Sequence, residues 1–412
     1  VPAKQSRIAL SLLNLLLAAV QTGFGPFVSV WLTEQHWNQT DIGIALSIGT
    51  IAALLGQLPA GLLIDATSRK RLAAGAALLV LGLSALILAL WPAWLPVLSA
   101  EILHGLASCA LIPAIAALTL SLVGHDAFAE QVGINARYAS IGNAAAAALL
   151  GLWGTYLSQR GVLLLTAAMA LPALLALFAI PRMDLAAGAA EDEHAAHMPA
   201  KLRKQREEPN WHVVYERGFV AFALCAVLFQ LANAALLPLA LNSYVAHETS
   251  SAWIISACII VPQLVVAALS PWIGRVANHW GRRPILLLGF LALPARGLLI
   301  AFLPDPLLLI PVQLLDGISG AVFGLMLPLI AADVSRRIGC LNLAIGVFSL
   351  AGGLGATVST TLAGAIADAA GMQMAFLMLA AAGGGAVLLV WGMMPETRPA
   401  RRTRPARATV AA

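Results

Sequence analysis

Runs of about twenty apolar residues recur along the whole of this chain, each long enough to cross a hydrocarbon core of about 30 Å as a helix. Twelve can be counted, at 8–32, 40–64, 72–91, 95–122, 131–157, 161–180, 217–245, 252–276, 284–303, 307–332, 341–367 and 372–394. In lipid every backbone N–H and C=O must be bonded within the protein, so a crossing segment is a helix or a strand of a closed barrel. Barrel strands alternate apolar and polar residues. These runs do not, and the expectation is an all-α membrane protein with twelve transmembrane helices. Composition agrees. Of 412 residues, 60% are hydrophobic and 10% charged, against about 25% charged in a soluble domain.

The connections are short except for one. Residues 181–215 carry most of the hydrophilic chain, including Glu191, Asp192, Glu193, Lys201, Arg203, Lys204 and Arg206. They divide the protein into a six-span unit over 1–180, a cytoplasmic linker over 181–215 and a second six-span unit over 216–394. The Pro- and Arg-rich tail, 395–412, is read as a disordered basic segment. With the N-terminus inside, the inner segments carry Lys4, Arg7, Arg69, Lys70, Arg71, Arg182, the linker cations, Arg217, Arg275, Arg282, Arg283, Arg336, Arg337 and the tail arginines, while the outer loops carry only Arg160. That bias predicts cytoplasmic termini in an inner (plasma) membrane of bacterial type. It also accounts for a pI of 9.3 without any nucleic-acid partner. The first run has no small-residue cleavage site after it and reads as a retained helix, not a removed leader.

A short polar turn occurs twice. Gly61-Leu-Leu-Ile-Asp65-Ala-Thr-Ser-Arg69-Lys70-Arg71 separates the second and third spans, and Gly274-Arg-Val-Ala-Asn278-His-Trp-Gly281-Arg282-Arg283 separates the eighth and ninth. Gly61 and Gly274, Asp65 and Asn278, Arg69 and Arg282, and Lys70 and Arg283 are each 213 residues apart. Within the fourth and tenth spans, Glu101-Ile-Leu-His104-Gly105 matches Gln313-Leu-Leu-Asp316-Gly317 at an offset of 212. The chain is therefore read as one unit built twice, giving two pseudo-symmetric six-helix bundles.

These residues resemble the major facilitator superfamily of secondary transporters. The signature turn of that family, between its second and third helices, has the form Gly-x-x-x-Asp-x-x-Gly-Arg-Lys/Arg, with a degenerate copy between the eighth and ninth. Here Ser68 replaces the glycine of the first copy, and Asn278 stands where an acid often occurs in the second. The resemblance covers about 5–395. It implies two parallel halves with a binding site at the midplane and a central cavity lined by spans 1, 2, 4, 5, 7, 8, 10 and 11. It also implies that Gly61, Asp65, Arg69 and Lys70, with Gly274, Asn278, Arg282 and Arg283, form a latch, Asp65 meeting the positive N-terminus of span 11 near Leu341. Drug antiporters of the family carry a Gly-Pro motif in span 5. Here that span reads Tyr138-Ala-Ser-Ile-Gly142-Asn143 without proline, and Glu101 stands where many such antiporters have arginine.

A charge at the centre of a membrane helix costs about 2.5–3.5 kcal/mol on insertion scales, so each one needs a partner, water or a function. Glu101 and His104 are three apart and share a helical face. With Asp316 they are the candidates for proton coupling, because a desolvated carboxyl and an imidazole titrate near neutrality. The alternative is a set of interhelical hydrogen bonds. Asn14, Gln21, Thr22, Gln57, Asn143, Gln230, Asn233, Gln263 and Gln313 are candidates to hydrogen-bond a substrate in an otherwise apolar cavity. Arg137 is a candidate for an anionic substrate or for a snorkelling cation. Arg296 is expected to pair with Asp316 or Asp305.

Other chemistry lacks a basis. Cys109, Cys225, Cys258 and Cys340 form no CxxC, and no Lys-Ser/Thr follows the glycine runs at 352–355 and 383–385. His194 and His197 lie in the solvated linker and are not read as a metal site. No nucleophile–base set or cofactor motif is present, so an enzyme is not expected and neither is a cofactor. The sequence reads as a monomeric transporter of a small organic solute, coupled to protons and embedded in lipid. Export is favoured, and uptake of a small anionic metabolite is the alternative. A membrane sensor would need a folded signalling domain, for which the linker and tail are too short.

Overall fold

The computed structural model describes residues 4–67, 69–180, 216–244, 251–303, 305–335 and 340–398, and among these residues the chain is helical without strands. The linker 181–215, Ser68, Arg336, Arg337 and the tail beyond Arg398 lie outside the described residues. Eleven helices are long and apolar enough to cross a membrane. One of them, Trp94–Tyr156, has 63 residues and would reach about 95 Å at 1.5 Å per residue, three times a bilayer core. It is two crossings. Gly124 breaks it at φ 68°, and Asn135 Nδ2 donates to Thr119 Oγ1 at 3.1 Å across 16 residues, which a straight helix would separate by about 24 Å. The twelve spans of the sequence are therefore all present.

Span 1 comprises Lys4–Thr22 and Pro26–Glu34. Its interruption follows from Gly23-Phe24-Gly25-Pro26. Gly25 takes a left-handed φ of 69°, which a side chain resists, and Pro26 starts the next helix where its missing N–H costs nothing. Span 7 is interrupted at the corresponding place, as Arg217–Asn233 and Leu236–Tyr244. There Ser359 Oγ donates to Leu231 O at 2.7 Å and accepts from Ala235 N at 3.2 Å, so one hydroxyl serves backbone groups on both sides of the break. The remaining spans are Gln39–Ala66 (2), Lys70–Leu90 (3), Gln159–Phe178 (6), Ser251–Trp280 (8), Arg282–Ala301 (9), Leu309–Ser335 (10), Leu341–Ala370 (11) and Met372–Met393 (12).

The repeat is visible in which backbones touch. A Cβ on Gly142 would strike the Leu15 carbonyl, and one on Gly355 would strike that of Val227. These are the same span 5–1 and span 11–7 crossings in the two halves. Contacts between the halves exchange in the same way. Gly61 abuts Asn342 and Gly346 abuts Gln57, joining spans 2 and 11, while Gly274 abuts Ala129 and Gly133 abuts Ser270, joining spans 8 and 5. Residues 129 and 342, 133 and 346, 57 and 270, and 61 and 274 are each separated by 213. A two-fold rotation that swaps the halves maps one crossing on the other. Without a hydrophobic drive between helices in lipid, small residues of this kind permit the close packing that holds spans together.

Both crossings lie at the face of the membrane that carries Arg69–Arg71 and Arg282–Arg283, here called the basic face. The apolar core of the second half, rich in Phe222, Phe229, Phe290, Phe323 and Phe348, extends at this face to Ala116, Phe128, Ala129 and Val132 of the first. The first half has a separate aliphatic core built on Leu10, Leu78, Leu81, Leu111 and Leu177. Trp31 and Trp37 donate their indole N–H groups to Leu88 O at 3.0 Å and Pro92 O at 3.2 Å, tying span 1 to the end of span 3 at the opposite face.

Candidate functional site

Both repeated turns lie at the basic face, and the first of them reaches across to the other half. Span 2 ends in Asp65, directly opposite the start of span 11. Asp65 Oδ1 accepts from Asn342 N at 3.1 Å and from Asn342 Nδ2 at 2.7 Å, and Oδ2 accepts from Leu343 N at 2.8 Å. The carboxylate thus satisfies orphan N–H groups of a helix in the other half, where the helix dipole favours a negative charge. Gly61, one turn earlier, makes the approach possible. Arg69 is exposed and Lys70 half-buried.

The second turn is bonded differently. Asn278 faces its own half, where Arg282 Nη1 lies 3.5 Å from its Oδ1. Arg282 is buried and pairs through Nε with Asp333 Oδ2 of span 10 at 2.8 Å. The N-terminus of span 9 is covered by Glu396, which accepts from Arg282 N at 2.8 Å and Arg283 N at 3.2 Å. Arg283 donates to Trp391 O at the end of span 12. Its counterpart is Arg71, which donates to Ile180 O at 2.6 Å and Phe178 O at 2.7 Å at the end of span 6. The sequence alignment pairs Arg283 with Lys70. The contacts pair it with Arg71, because the offset slips from 213 to 212 across the turn.

Glu101 is 3% exposed and lies on the backbone of span 2, where a Cβ on Gly49 would come within 2.7 Å of Oε2. Its Oε1 is buried without a hydrogen-bond partner among the described residues. His104 Nδ1 is 4.0 Å from Oε2, and the imidazole stacks face to face on Phe24, with ring centroids 3.9 Å apart and planes inclined by 8°. A carboxylate buried in an apolar bundle with so little compensation is costly to keep there.

Asp316 sits in a different environment. Its Oδ1 accepts from Arg296 Nη1 at 2.5 Å. The same guanidinium donates to Asn233 Oδ1 at 2.6 Å and Gln313 Oε1 at 2.8 Å. Arg296 is 1% exposed. Three spans of the second half are joined here around one buried cation, at the break in span 7. Of the two pairings the sequence left open for Arg296, the structure forms the one with Asp316.

Between the halves, Gln21, Thr22, Asn143, Ala144 and Ala147 of spans 1 and 5 face Ile259, Ile260 and Gln263 of span 8 across a cavity of about 310 Å³. Thr22 Oγ1 donates to Asn143 Oδ1 at 3.1 Å. Four of the predicted substrate residues, Gln21, Thr22, Asn143 and Gln263, line this cavity. The others lie elsewhere. Asn14 donates to Leu10 O of its own helix at 2.8 Å. The backbone carbonyl of Gln57 abuts Gly346, and Gln230 turns its aliphatic stem to Gly352. Asn233 and Gln313 hold Arg296. Arg137 is exposed on span 5 and its Nε donates to Ala267 O of span 8 at 2.9 Å. Glu101, His104 and Asp316 do not line the cavity, although Thr22 does and Phe24, two residues on, carries His104. Sequence reasoning missed Phe24, whose one available signal is the Gly-Phe-Gly-Pro break that turns its ring out of the helical path.

Twelve spans in two repeated halves, sealed at one membrane face and flanking a shared cavity, define a secondary-transporter architecture. The Major Facilitator Superfamily family model matches residues 10–239 and 219–411, and the chain belongs to that superfamily. Two relatives, each named an uncharacterized MFS-type transporter, come from Mycobacterium tuberculosis strains CDC 1551 and H37Rv. Each is 36% identical over 405 residues, covering 96% of this chain and 94% of the relative. Among solved structures, the proton:xylose symporter XylE bound to 6-bromo-6-deoxy-D-glucose superposes with a TM-score of 0.74 at 14% identity, covering 95% of this chain and 96% of the other. The human organic anion transporter MFSD10 (TETRAN) superposes at 0.71 and 16% identity, covering 95% and 100%. At such identities the likeness is one of fold. The protein is a multi-pass membrane transporter, not an enzyme.

Proposed function

We propose that this chain is a proton-coupled exporter of a small, largely apolar organic molecule, working as a monomer by alternating access in an inner membrane. In this reading the basic face and both termini are cytoplasmic. The units 1–180 and 216–394 rock about the cavity, joined by the linker 181–215 and followed by the basic tail 395–412. Asp65 and the glycine crossings act as the latch of the closed cytoplasmic face. The observation that carries the reading is the exchanged pair of crossings, spans 2–11 and 8–5, closing one face beneath a cavity lined from both halves. Glycine-to-backbone contacts can separate without extracting interlocked side chains, as a reversible gate requires.

The cavity offers amides and a hydroxyl amid alanine and isoleucine and carries no charged side chain. That lining favours a neutral or weakly polar solute. Uptake of an anion would need a cation there, and Arg137 instead serves a backbone carbonyl. Glu101, buried with an unsatisfied oxygen, is the proton carrier in this reading, while Asp316 is already committed to Arg296. The test is a thermal-shift screen of organic solutes on purified protein, followed by flux of a hit in proteoliposomes under a pH gradient. Glu101→Gln is expected to abolish gradient-driven flux and to spare exchange at equal pH. Gradient-driven flux at the wild-type rate would refute the proton role.

A further inference from the structure

We infer that Phe24 is a positioning residue that ties the proton site to the outer arm of span 1, Pro26–Glu34. This rests on the reading of Glu101 and His104 as that site. Phe24 stands inside the break of span 1, between Gly23 and Gly25. Gly23 fits beneath Thr166 of span 6, where a Cβ would overlap the threonine side chain, and Gly25 holds the left-handed φ of 69°. The two glycines leave the Phe24 ring, 4% exposed, as the contact by which the break is held against span 4. That contact is the parallel stack on His104 at 3.9 Å.

Among the described residues His104 forms one ion pair, with Glu101, and the 4.0 Å between Nδ1 and Oε2 is too long for a hydrogen bond. Span 2 presents Gly49 to Glu101, and span 1 presents the Phe24 ring to His104. The charged residues of these neighbours stand toward the membrane faces in the sequence: Lys4, Arg7 and Glu34 on span 1, Asp41 and Asp65 on span 2, Lys70 and Arg71 on span 3, and Asp126, Glu130 and Arg137 on span 5. A proton taken up by the pair lets the two groups share it, and a charge-assisted hydrogen bond draws them to about 2.7–2.9 Å. Span 2 backs directly onto Glu101, so the imidazole makes the movement, by about 1 Å. A ring stacked face to face on that imidazole either follows it or loses the stack. In both cases the register of the outer arm changes when the proton binds, and Thr22, on the other side of the break, passes the change to the cavity wall.

The distance measurement needs no substrate, and the flux arm uses the hit of the thermal-shift screen. Full-length protein in lipid nanodiscs, with its four native cysteines replaced, carries spin labels at Val30→Cys on the outer arm and Leu95→Cys at the outer end of span 4, both exposed positions. Distances are measured by electron–electron double resonance at about pH 5.5 and about pH 8.5, which bracket the histidine range. The wild type is expected to shift its distance distribution between the two. Phe24→Leu, which keeps the apolar volume and loses the ring face, is expected to lose the shift. Phe24→Trp is expected to retain it. A full shift in Phe24→Leu would overturn the positioning role. An unresponsive wild-type arm, with gradient-driven flux still sensitive to Glu101→Gln, would overturn it while leaving the proton site standing. An unresponsive arm with flux indifferent to Glu101→Gln would overturn both.

Discussion

Asp65→Ala removes the acceptor of three hydrogen bonds and leaves Asn342 N, Leu343 N and the Asn342 amide facing a void between the halves. Loss of a helix N-cap costs about 0.5–2 kcal/mol, and hydrogen bonds to a charged group contribute about 1.5–3 kcal/mol each. A net loss of about 2 kcal/mol from the closed arrangement is the conservative figure, and at 1.4 kcal/mol per decade it raises the open population about 30-fold. The reporter is native to the chain. Cys340 immediately precedes span 11 and is 6% exposed, so a polar maleimide reaches it chiefly when this face opens. With Cys109, Cys225 and Cys258 replaced by alanine, the labelling rate of Cys340 in membranes should rise about 30-fold in Asp65→Ala. Asp65→Asn, which keeps one acceptor oxygen and loses the charge, should fall between. A rate within about twofold of the parent would show that the carboxylate does not hold the face shut.

Other expectations follow from the same contacts. Gly346→Val places a branched side chain against the Gln57 carbonyl and should hold the 2–11 crossing open, so that Cys340 labels at its maximal rate and Asp65→Ala adds nothing. Arg296→Leu strands Asp316 in the second half and should destabilise it by about 3–5 kcal/mol, as removal of one partner of a buried pair does. The double variant Arg296→Leu/Asp316→Asn should recover most of that in unfolding titrations, and equal loss in both would refute the pairing. Glu396→Ala uncovers the first N–H groups of span 9 and should cost about 1 kcal/mol in the same titrations, without changing Cys340 labelling.

The spans, the duplication and the division into halves are legible in the sequence because lipid imposes them. Backbone satisfaction needs long apolar helices, and an offset of 212 or 213 relates the glycine crossings of the two halves. Asp65 at a helix end facing another helix's start is readable for the same reason, since few geometries accommodate an acid there. Side-chain direction inside the bundle is less accessible. A span that is apolar all round has no polar stripe to orient it, so Gln313 and Asn233 look like cavity residues in the sequence and in fact grip Arg296. Gln21, Asn143 and Gln263 look identical and do reach the cavity. As one phenylalanine among many apolar residues, Phe24 is marked only by the Gly-Phe-Gly-Pro break. Its proposed role depends on that break and on the placement of His104, which the alignment with Asp316 obscures. These two repeat-related positions hold the breaks of spans 1 and 7 by unrelated means, one by ring stacking and one by a shared guanidinium.

The replacement of an acid by Asn278 leaves the closed face with unequal corners. At the 2–11 corner a charge reaches across to the opposing half through three bonds. At the 8–5 corner Asp333 pairs with Arg282 of its own half, and the seam is spanned by glycine packing, by Arg137 donating to the Ala267 carbonyl and by the electrostatic attraction between His125 and Asp333. A face capped by a carboxylate at one corner and held by these contacts at the other is expected to swing instead of lifting. The first water to enter from the basic side should pass along spans 5 and 8, with the Asp65 corner serving as the hinge until last.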